Sequence, residues 1–137
     1  MKMKILALAL PVALLVACQQ SSQPAQSPQS PIKKGMVKVS ILYPNGEGKH
    51  FDMDYYVKTH MPLVATLFGD SLKALSIDKG IGSGRPGPMP YLAIGHLYFE
   101  RLSAYEGALA PYTDTIRKDI MKYTNIAPVI QISEVLE

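Results

Sequence analysis

The nine residues "YLAIGHLYF" (Tyr91–Phe99) decide the fold of this 137-residue chain. Successive side chains of a strand point to opposite sides of a sheet. One side here would carry Tyr91, Ala93, Gly95, Leu97 and Phe99, and the other Leu92, Ile94, His96 and Tyr98. Both sides are mainly apolar, and the exception is His96. The pattern predicts a strand that is covered on both faces.

The residues before this strand predict a strand, a helix and a second strand. "VKVSILYP" (Val37–Pro44) alternates as a strand does, and "PNGEG" ends it. Asp52 is placed to cap a helix that continues to Gly69. "LKALSIDKG" (residues 72–80) then has the composition of a strand.

The residues after it predict a helix and a last strand. Ser103 and Glu106, three residues apart, have the spacing of a capping box that opens the helix. Pro111 should interrupt this helix, because proline cannot donate the backbone hydrogen bond. "APVIQISEV" (residues 127–135) reads as the final strand.

The order strand, helix, strand, strand, helix, strand predicts an α+β fold. We expect a ferredoxin-like βαββαβ sandwich, a four-stranded antiparallel sheet with two helices on one face. Two helices cannot also cover the second face, which the strand at Tyr91–Phe99 requires to be covered. We therefore expect a homodimer with sheets packed face to face as a dimeric α+β barrel. A lone two-layer domain with one wet face is the alternative.

The segment "YYVKTHMPLV" (Tyr55–Val64) predicts a pocket beside the first helix. Helical spacing puts one stripe toward the sheet: Met53, Tyr56, Val57, His60, Val64 and Leu67. Pro62 cannot donate to the carbonyl of Lys58, so the helix should bend just beyond the inward imidazole and open a hollow. The alternative is that His60 is a hydrogen-bonded core histidine.

A second internal histidine extends the candidate site. His96 and His60, accompanied by Tyr43, Tyr56, Tyr98 and Tyr123, could form an acid/base set for a small organic molecule. His96 could instead bridge the dimer interface in a structural role. Two histidines without a third ligand do not make a metal pattern, so we expect no metal. His50 should be solvated.

The segment "GIGSGRPGPMP" (Gly80–Pro90) contains a literal G-x-G-x-x-G. A dinucleotide site needs that motif to open a helix, whereas prolines and a strand follow here. We interpret it as a mobile loop that could act as a pocket lid.

The chain begins with the features of a secretion signal. Basic "MKMK" precedes the 13-residue apolar run Ile5–Ala17, which is too short to span a bilayer. The single cysteine, Cys18, follows directly, and this arrangement resembles the lipobox of bacterial lipoproteins. We therefore expect residues 1–17 to be a signal peptide and Cys18 to be acylated. The residue after it, Gln19, favours the periplasmic face of the outer membrane in a bacterial envelope.

Residues 18–35 should then form a disordered tether. Residues 19–35 include five Gln, four Ser and three Pro, a composition that cannot form a core. The predicted domain, residues 36–137, has ten Lys and Arg against eleven Asp and Glu. This balance excludes the basic surface of a nucleic-acid-binding protein. The membrane contact would be through the lipid alone.

Three motifs resemble one known family. "VSILYPNGEGKHFDMDYYVKTHMPLV", "AIGHLYF" and "YTNIAPVIQISEV" are similar to the EthD-like family of the dimeric α+β barrel superfamily, over residues 37–134. The resemblance implies a ferredoxin-like protomer and a homodimer. Superfamily relatives use a cavity lined by histidine and aromatic residues, with an inward histidine in an H-x-P segment, which His60–Met61–Pro62 matches. The role of Tyr123-Thr124-Asn125 is not assigned by the resemblance.

The resemblance implies an enzyme of oxidoreductase, monooxygenase or isomerase type. Members are often labelled reductases, but NAD(P)H is not available outside the cytoplasm and the sequence has no motif to bind it. We expect no cofactor, and His60 as general acid/base on a small hydrophobic or aromatic molecule. The alternatives are a non-catalytic ligand-binding lipoprotein and a purely structural role.

Overall fold

A computed structural model describes residues 31–137 of the chain. Its elements are β1 (Val37–Pro44), α1 (Met53–Tyr55), a π-helical turn (Tyr56–His60), α2 (Met61–Phe68), a 3₁₀ turn (Gly69–Ser71), β2 (Ala74–Lys79), β3 (Tyr91–Phe99), α3 (Leu102–Leu109), a second 3₁₀ turn (Ala110–Tyr112), α4 (Thr113–Ile120) and β4 (Val129–Glu134). This order confirms the predicted sequence of elements.

The four strands form one antiparallel sheet in the order β2-β3-β1-β4. β3 is an inner strand, paired with β2 on one edge and with β1 on the other. Its register with β1 places Gly95 opposite Ile41 and His96 opposite Ser40. The predicted ferredoxin-like βαββαβ sandwich is confirmed.

Both helical segments pack against the same face of the sheet. The buried core joins strand residues of that face, such as Tyr43 and Leu97, to helical residues such as Tyr56 and Val64. The other face, which we call the open face, carries the alternate residues of the strands. Among these, Ile94 is half-buried although no described helix packs on it.

The first helix contains a wider turn immediately before Pro62. The N–H of Met61 donates to the carbonyl of Tyr56, five residues back, which defines the π-helical turn. Pro62 has no N–H to donate, so a wider turn is a way to pass it without breaking the helix. Asp52 caps the helix as predicted, because its side chain accepts from the N–H of Tyr55. The extra residue also explains an error: Val57, predicted to face the sheet, is 43% exposed.

The second helical segment begins differently from the prediction. α3 starts at Leu102, and its N-cap residue is Arg101, which makes no side-chain capping bond. Ser103 lies inside the helix, and its hydroxyl accepts from the Arg101 guanidinium at 3.2 Å, so the predicted capping box is wrong. The predicted interruption at Pro111 is confirmed by the 3₁₀ turn between α3 and α4.

The domain begins slightly before the predicted boundary at Met36. The N–H of Gly35 donates to the carbonyl of Val135, and the N–H of Val135 donates to that of Met36, each at 2.8 Å. Residue 35, assigned to the tether, is therefore attached to the C-terminal end of the sheet. Cys18 and the predicted signal peptide lie outside the described residues. No helix within residues 31–137 combines the length and apolar character needed to cross a membrane.

Candidate active site

A cavity of about 540 Å³ lies between the helical layer and the sheet. Its walls are mainly apolar. The sheet contributes Ile41 and Leu97, α2 contributes Val64, and α4 contributes Ile116 and Ile120. A cavity of this size and character suits a small organic molecule.

His60 lines this cavity at the end of the π-helical turn. Its Nδ1 lies 2.8 Å from Oδ2 of Asp119 on α4, and the two side chains are only 4% and 6% exposed. Because a carboxylate accepts, the neutral imidazole carries its proton on Nδ1. Nε2 has no hydrogen-bond partner among the described residues, so it is the ring nitrogen left for a molecule in the cavity.

Asp119 is held by two further hydrogen bonds. Its Oδ1 accepts from the hydroxyl of Tyr55 at 3.0 Å and from Nζ of Lys122 at 3.0 Å. Burial alone would raise the pKa of this carboxyl, but its hydrogen bonds outweigh that effect and hold the pKa below its ordinary value. Asp119 is therefore ionised at neutral pH.

For His60, the other member of the pair, burial has the largest effect on the pKa. It lowers the pKa of His60 below 6.5, although the hydrogen bond and charge of Asp119 oppose that shift. His60 is therefore neutral at pH 7. A neutral imidazole with a free Nε2 and an ionised carboxylate on Nδ1 is equipped to accept a proton.

Tyr43 is the second predicted residue that lines the cavity. Its hydroxyl lies 2.6 Å from that of Tyr123, and both rings are buried. Burial raises the pKa of Tyr43 to about 12, with the hydrogen bond from Tyr123 opposing it. Burial likewise raises the pKa of Tyr123. Both hydroxyls keep their protons at neutral pH and act as hydrogen-bond donors.

Tyr56 and Tyr123 do not line the cavity; their rings pack against the imidazole of His60. The ring of Tyr56 stacks on His60 with centroids 5.8 Å apart, and that of Tyr123 lies 4.7 Å from His60. The buried hydroxyl of Tyr56 has no hydrogen-bond partner in residues 31–137, and burial raises its pKa. It reaches the sheet directly over Gly95, where a Cβ would overlap it. These two tyrosines fix the plane of the ring.

His96 does not join this site. It lies on the open face, where Nδ1 is 2.9 Å from the hydroxyl of Ser40 and Nε2 is 3.1 Å from Oδ2 of Asp78. The expectation of one acid/base set containing His60 and His96 is therefore wrong in its geometry, because the sheet separates the two rings. Tyr98, two residues further along β3, also faces away from the cavity.

The connectivity of Asp78, His96 and Ser40 resembles that of hydrolase triads. An oxyanion hole also needs free N–H donors near the nucleophile. Ser40 lies on β1, an inner strand paired on both sides, so the surrounding N–H groups are used by the sheet. We interpret this network as one that satisfies polar groups on an apolar face.

Two other predicted features lie outside the cavity wall. Pro62 is exposed and contributes through the turn that precedes it, not by contact. The loop Gly80–Pro90 does not line the cavity; the side chain of Asn45 binds the carbonyl of Met89 at 3.0 Å. The expected pocket lid is therefore not found at this cavity. His50 is exposed, as predicted.

The motif Tyr123-Thr124-Asn125 attaches the chain after α4 to the loop before α1. Thr124 donates to the carbonyl of His50 at 2.6 Å, and the N–H of His50 donates to Oδ1 of Asn125 at 2.8 Å. Asn125 also donates to the carbonyl of Gly48 at 2.9 Å. The motif thus fixes the position of the first helix relative to α4, and so of His60 relative to Asp119.

Two residues of α4 were not predicted from the sequence: Asp119, which binds His60, and Arg117, which lines the cavity. A signal for Asp119 was present: it stands three residues after Ile116 and four before Tyr123, in the inward stripe of an amphipathic helix. A carboxylate in such a stripe needs a buried partner. Among the described residues no cluster of three or more His, Cys, Asp or Glu could hold a metal ion.

Comparison with known proteins identifies the family. The model of the EthD domain matches residues 45–127. An EthD-like protein from Ralstonia eutropha JMP134 is 35% identical with a TM-score of 0.72, over 77% of this chain and 96% of that one. An ethyl tert-butyl ether D (EthD) family protein from Bacillus halodurans C-125 shares the fold at 22% identity and a TM-score of 0.58, over 74% and 99%. No curated protein matches. The chain belongs to the EthD family.

Proposed function

We propose that this protein is an enzyme that uses no cofactor and acts on a small hydrophobic or aromatic molecule, by oxidoreductase, monooxygenase-type or isomerase-type chemistry. The observation that carries the proposal is the environment of His60. His60 lines an apolar cavity, its Nε2 has no hydrogen-bond partner within residues 31–137, and its Nδ1 is bound to a buried carboxylate.

The first step would be a proton transfer. Nε2 of the neutral His60 takes a proton from an acidic C–H or O–H of the substrate. Asp119 stabilises the imidazolium that forms and keeps the ring oriented through Nδ1. When Tyr123 donates in the hydrogen bond between the two hydroxyls, the hydroxyl proton of Tyr43 can be donated to an oxygen that gains negative charge. A positioned acid/base of this kind contributes about 10²–10⁴-fold to a rate.

Hydrogen–deuterium exchange of a cyclic ketone tests this step without knowledge of the natural substrate. 2-Tetralone in D₂O would be incubated with the full chain, and deuterium at its α-carbons followed by NMR. We expect the wild type to accelerate exchange and His60→Gln to lose the acceleration. His50→Gln, which changes an exposed histidine, should exchange like the wild type.

Two outcomes would count against catalysis by His60. Equal exchange by the wild type and His60→Gln would remove the imidazole from the mechanism. If 2-tetralone binds without exchange, the alternative function, capture of a hydrophobic ligand, gains support. Mass spectrometry of ligands retained through purification would then identify the captured molecule.

We also propose that the open face binds the same face of a second copy. The open face of β3 carries half-buried Ile94 and Tyr98, and Leu42 of β1 lies opposite Ile94. Burial of such a surface against a copy would give the two-sided cover that β3 requires. His96 would then act as a polar element of the interface. Sedimentation should show a dimer for the wild type and a monomer for Ile94→Lys, and a monomeric wild type would refute this.

The N-terminal sequence motivates a proposal on location. We propose that Cys18 is acylated and anchors the domain to the bacterial envelope, at the periplasmic face of the outer membrane. Labelling with a fatty-acid analogue in a bacterial host should mark the wild type and not Cys18→Ser. An unlabelled, freely secreted wild-type protein would contradict the anchor.

A further inference from the structure

α4 presents a cation to the cavity. Four residues of this helix line the cavity, spaced as one helical stripe: Thr113, Ile116, Arg117 and Ile120. Arg117 is exposed at its outer side, so it lies at the mouth of the cavity. No carboxylate within residues 31–137 lies close enough to form an ion pair with its guanidinium.

Four other polar side chains on the cavity wall already have hydrogen-bond partners. Thr113 and Thr124 donate to the backbone carbonyls of Leu109 and His50. Asn125 binds the loop before α1, and Tyr43 binds Tyr123. Three residues of the wall have a polar side-chain group without a hydrogen-bond partner in the described chain: His60 at Nε2, Tyr105 at its hydroxyl and Arg117 at its guanidinium. Of these three groups, the guanidinium of Arg117 is the cation.

His60 and Arg117 differ in chemistry and in depth. His60 is buried and, being neutral, accepts a proton. Arg117 is a permanent cation whose planar fork matches a carboxylate or sulfonate. Between them the wall is apolar, with Ile116 and Ile120 on the same helix face.

We infer that the molecule bound in this cavity is an organic anion: an apolar body with one acidic group that pairs with Arg117 at the mouth while the body reaches His60. The inference rests on the proposed function, which assigns the cavity as the substrate site. It adds the substrate class, a hydrophobic acid rather than a neutral hydrophobic compound.

Two fluorescent probes of the same skeleton test the inference. 8-Anilinonaphthalene-1-sulfonate and N-phenyl-1-naphthylamine differ by one sulfonate. Their affinities would be measured with the full chain, and amide NMR shifts of Ile116 and Ile126 would show whether they occupy the cavity. We expect the wild type to prefer the sulfonate over the neutral probe by about three- to tenfold, as a partly solvated charge pair allows.

The matched variants are Arg117→Gln and Lys118→Gln. Each removes one exposed cation from α4, but Lys118 does not line the cavity. We expect Arg117→Gln to lose the preference for the sulfonate with little change for the neutral probe, and Lys118→Gln to keep it. The inference is overturned if both variants behave alike, if the wild type shows no preference, or if neither probe shifts the cavity amides.

The 2-tetralone assay separates this inference from the proposed function. That ketone is neutral, so its exchange does not depend on an anion site. Exchange without any sulfonate preference would overturn the inference and leave the proposed function supported. Sulfonate preference without exchange would support an anion-binding cavity and count against the enzyme.

Discussion

Residues 31–137 contain two histidine–aspartate pairs, one on each face of the same sheet. His60 and Asp119 lie on the helical face, with side chains 4% and 6% exposed. His96 and Asp78 lie on the open face, with side chains 19% and 61% exposed. The nitrogen–oxygen distances, 2.8 and 3.1 Å, differ little.

The difference between the pairs is therefore one of surroundings. Water competes for the Asp78 carboxylate, whereas Asp119 is enclosed and bound by three donors. A hydrogen bond to a carboxylate that is shielded from water has a stronger effect on stability than an exposed one, because loss of one partner leaves the other buried and unsatisfied. Similar geometry thus gives an enclosed pair on one face and a solvent-exposed pair on the other.

Removal of the two carboxylates should show the largest difference. Asp119→Ala leaves buried donors on His60 and Tyr55 without a partner, so we expect a loss of about 3 kcal/mol in the free energy of unfolding. Asp78→Ala should lose less than about 1 kcal/mol. Urea unfolding of both variants measures this. Equal losses would show that enclosure does not distinguish the two pairs.

A methyl group at Gly95 should disturb one pair and not the other. Gly95→Ala forces the buried Tyr56 hydroxyl away, and Tyr56 stacks on His60, so we expect a loss of about 2 kcal/mol. The imidazole NMR signals of His60 should move more than those of His96. Gly82→Ala is the matched control, because a Cβ there meets nothing within 4 Å. Unchanged His60 signals in a folded Gly95→Ala would contradict this packing.

Acidification should give a smaller effect that depends on His60. Its folded pKa lies below the 6.5 of an unfolded histidine, so between these values the unfolded chain binds more protons. Stability should therefore fall as pH drops below about 6.5, by at most about 1.4 kcal/mol per pH unit for one proton. The pKa of Asp119 is also lowered on folding, and its protonation reduces stability only when the pH falls below about 3.8.

The measurement is urea unfolding at a series of pH values from 7 to 5. His60→Gln should show a flatter dependence over this range, because the residue that resists protonation is gone. His96→Gln is the matched comparison on the open face. If the wild type becomes more stable on acidification, the pKa of His60 is raised on folding rather than lowered, and the prediction is wrong.

The fold was predictable because each element carries its own periodic signal. The alternation along Tyr91–Phe99 predicted a strand, and β3 spans these residues. The predicted cover on its second face stays a prediction. Asp52 predicted the helix start correctly, since a cap is a local interaction. The predicted box at Ser103 failed because Arg101 instead occupies the N-cap position.

The site was predictable only in part, because its residues meet across long distances in the sequence. The inward position of His60 followed from helix periodicity and from the family resemblance. Its partner Asp119, 59 residues away, needed the packing of two helices. His96 was misjudged because alternation along a strand separates two faces without showing which one meets the helices. The β1–β3 register settles that, with Ser40 beside His96 on the open face.

The π-helical turn makes one carboxylate reachable from two residues five positions apart. On a regular helix, Tyr55 and His60 would point about 140° apart around the axis. The wider turn brings them onto neighbouring sides, so that the phenol and the imidazole bind the two oxygens of Asp119. Regular winding of the same five residues would part these two donors, whereas a one-residue deletion within residues 57–59 would leave them four positions apart, about 40° around a regular helix. The number of residues in this short segment and its winding therefore set the position of the two donors together.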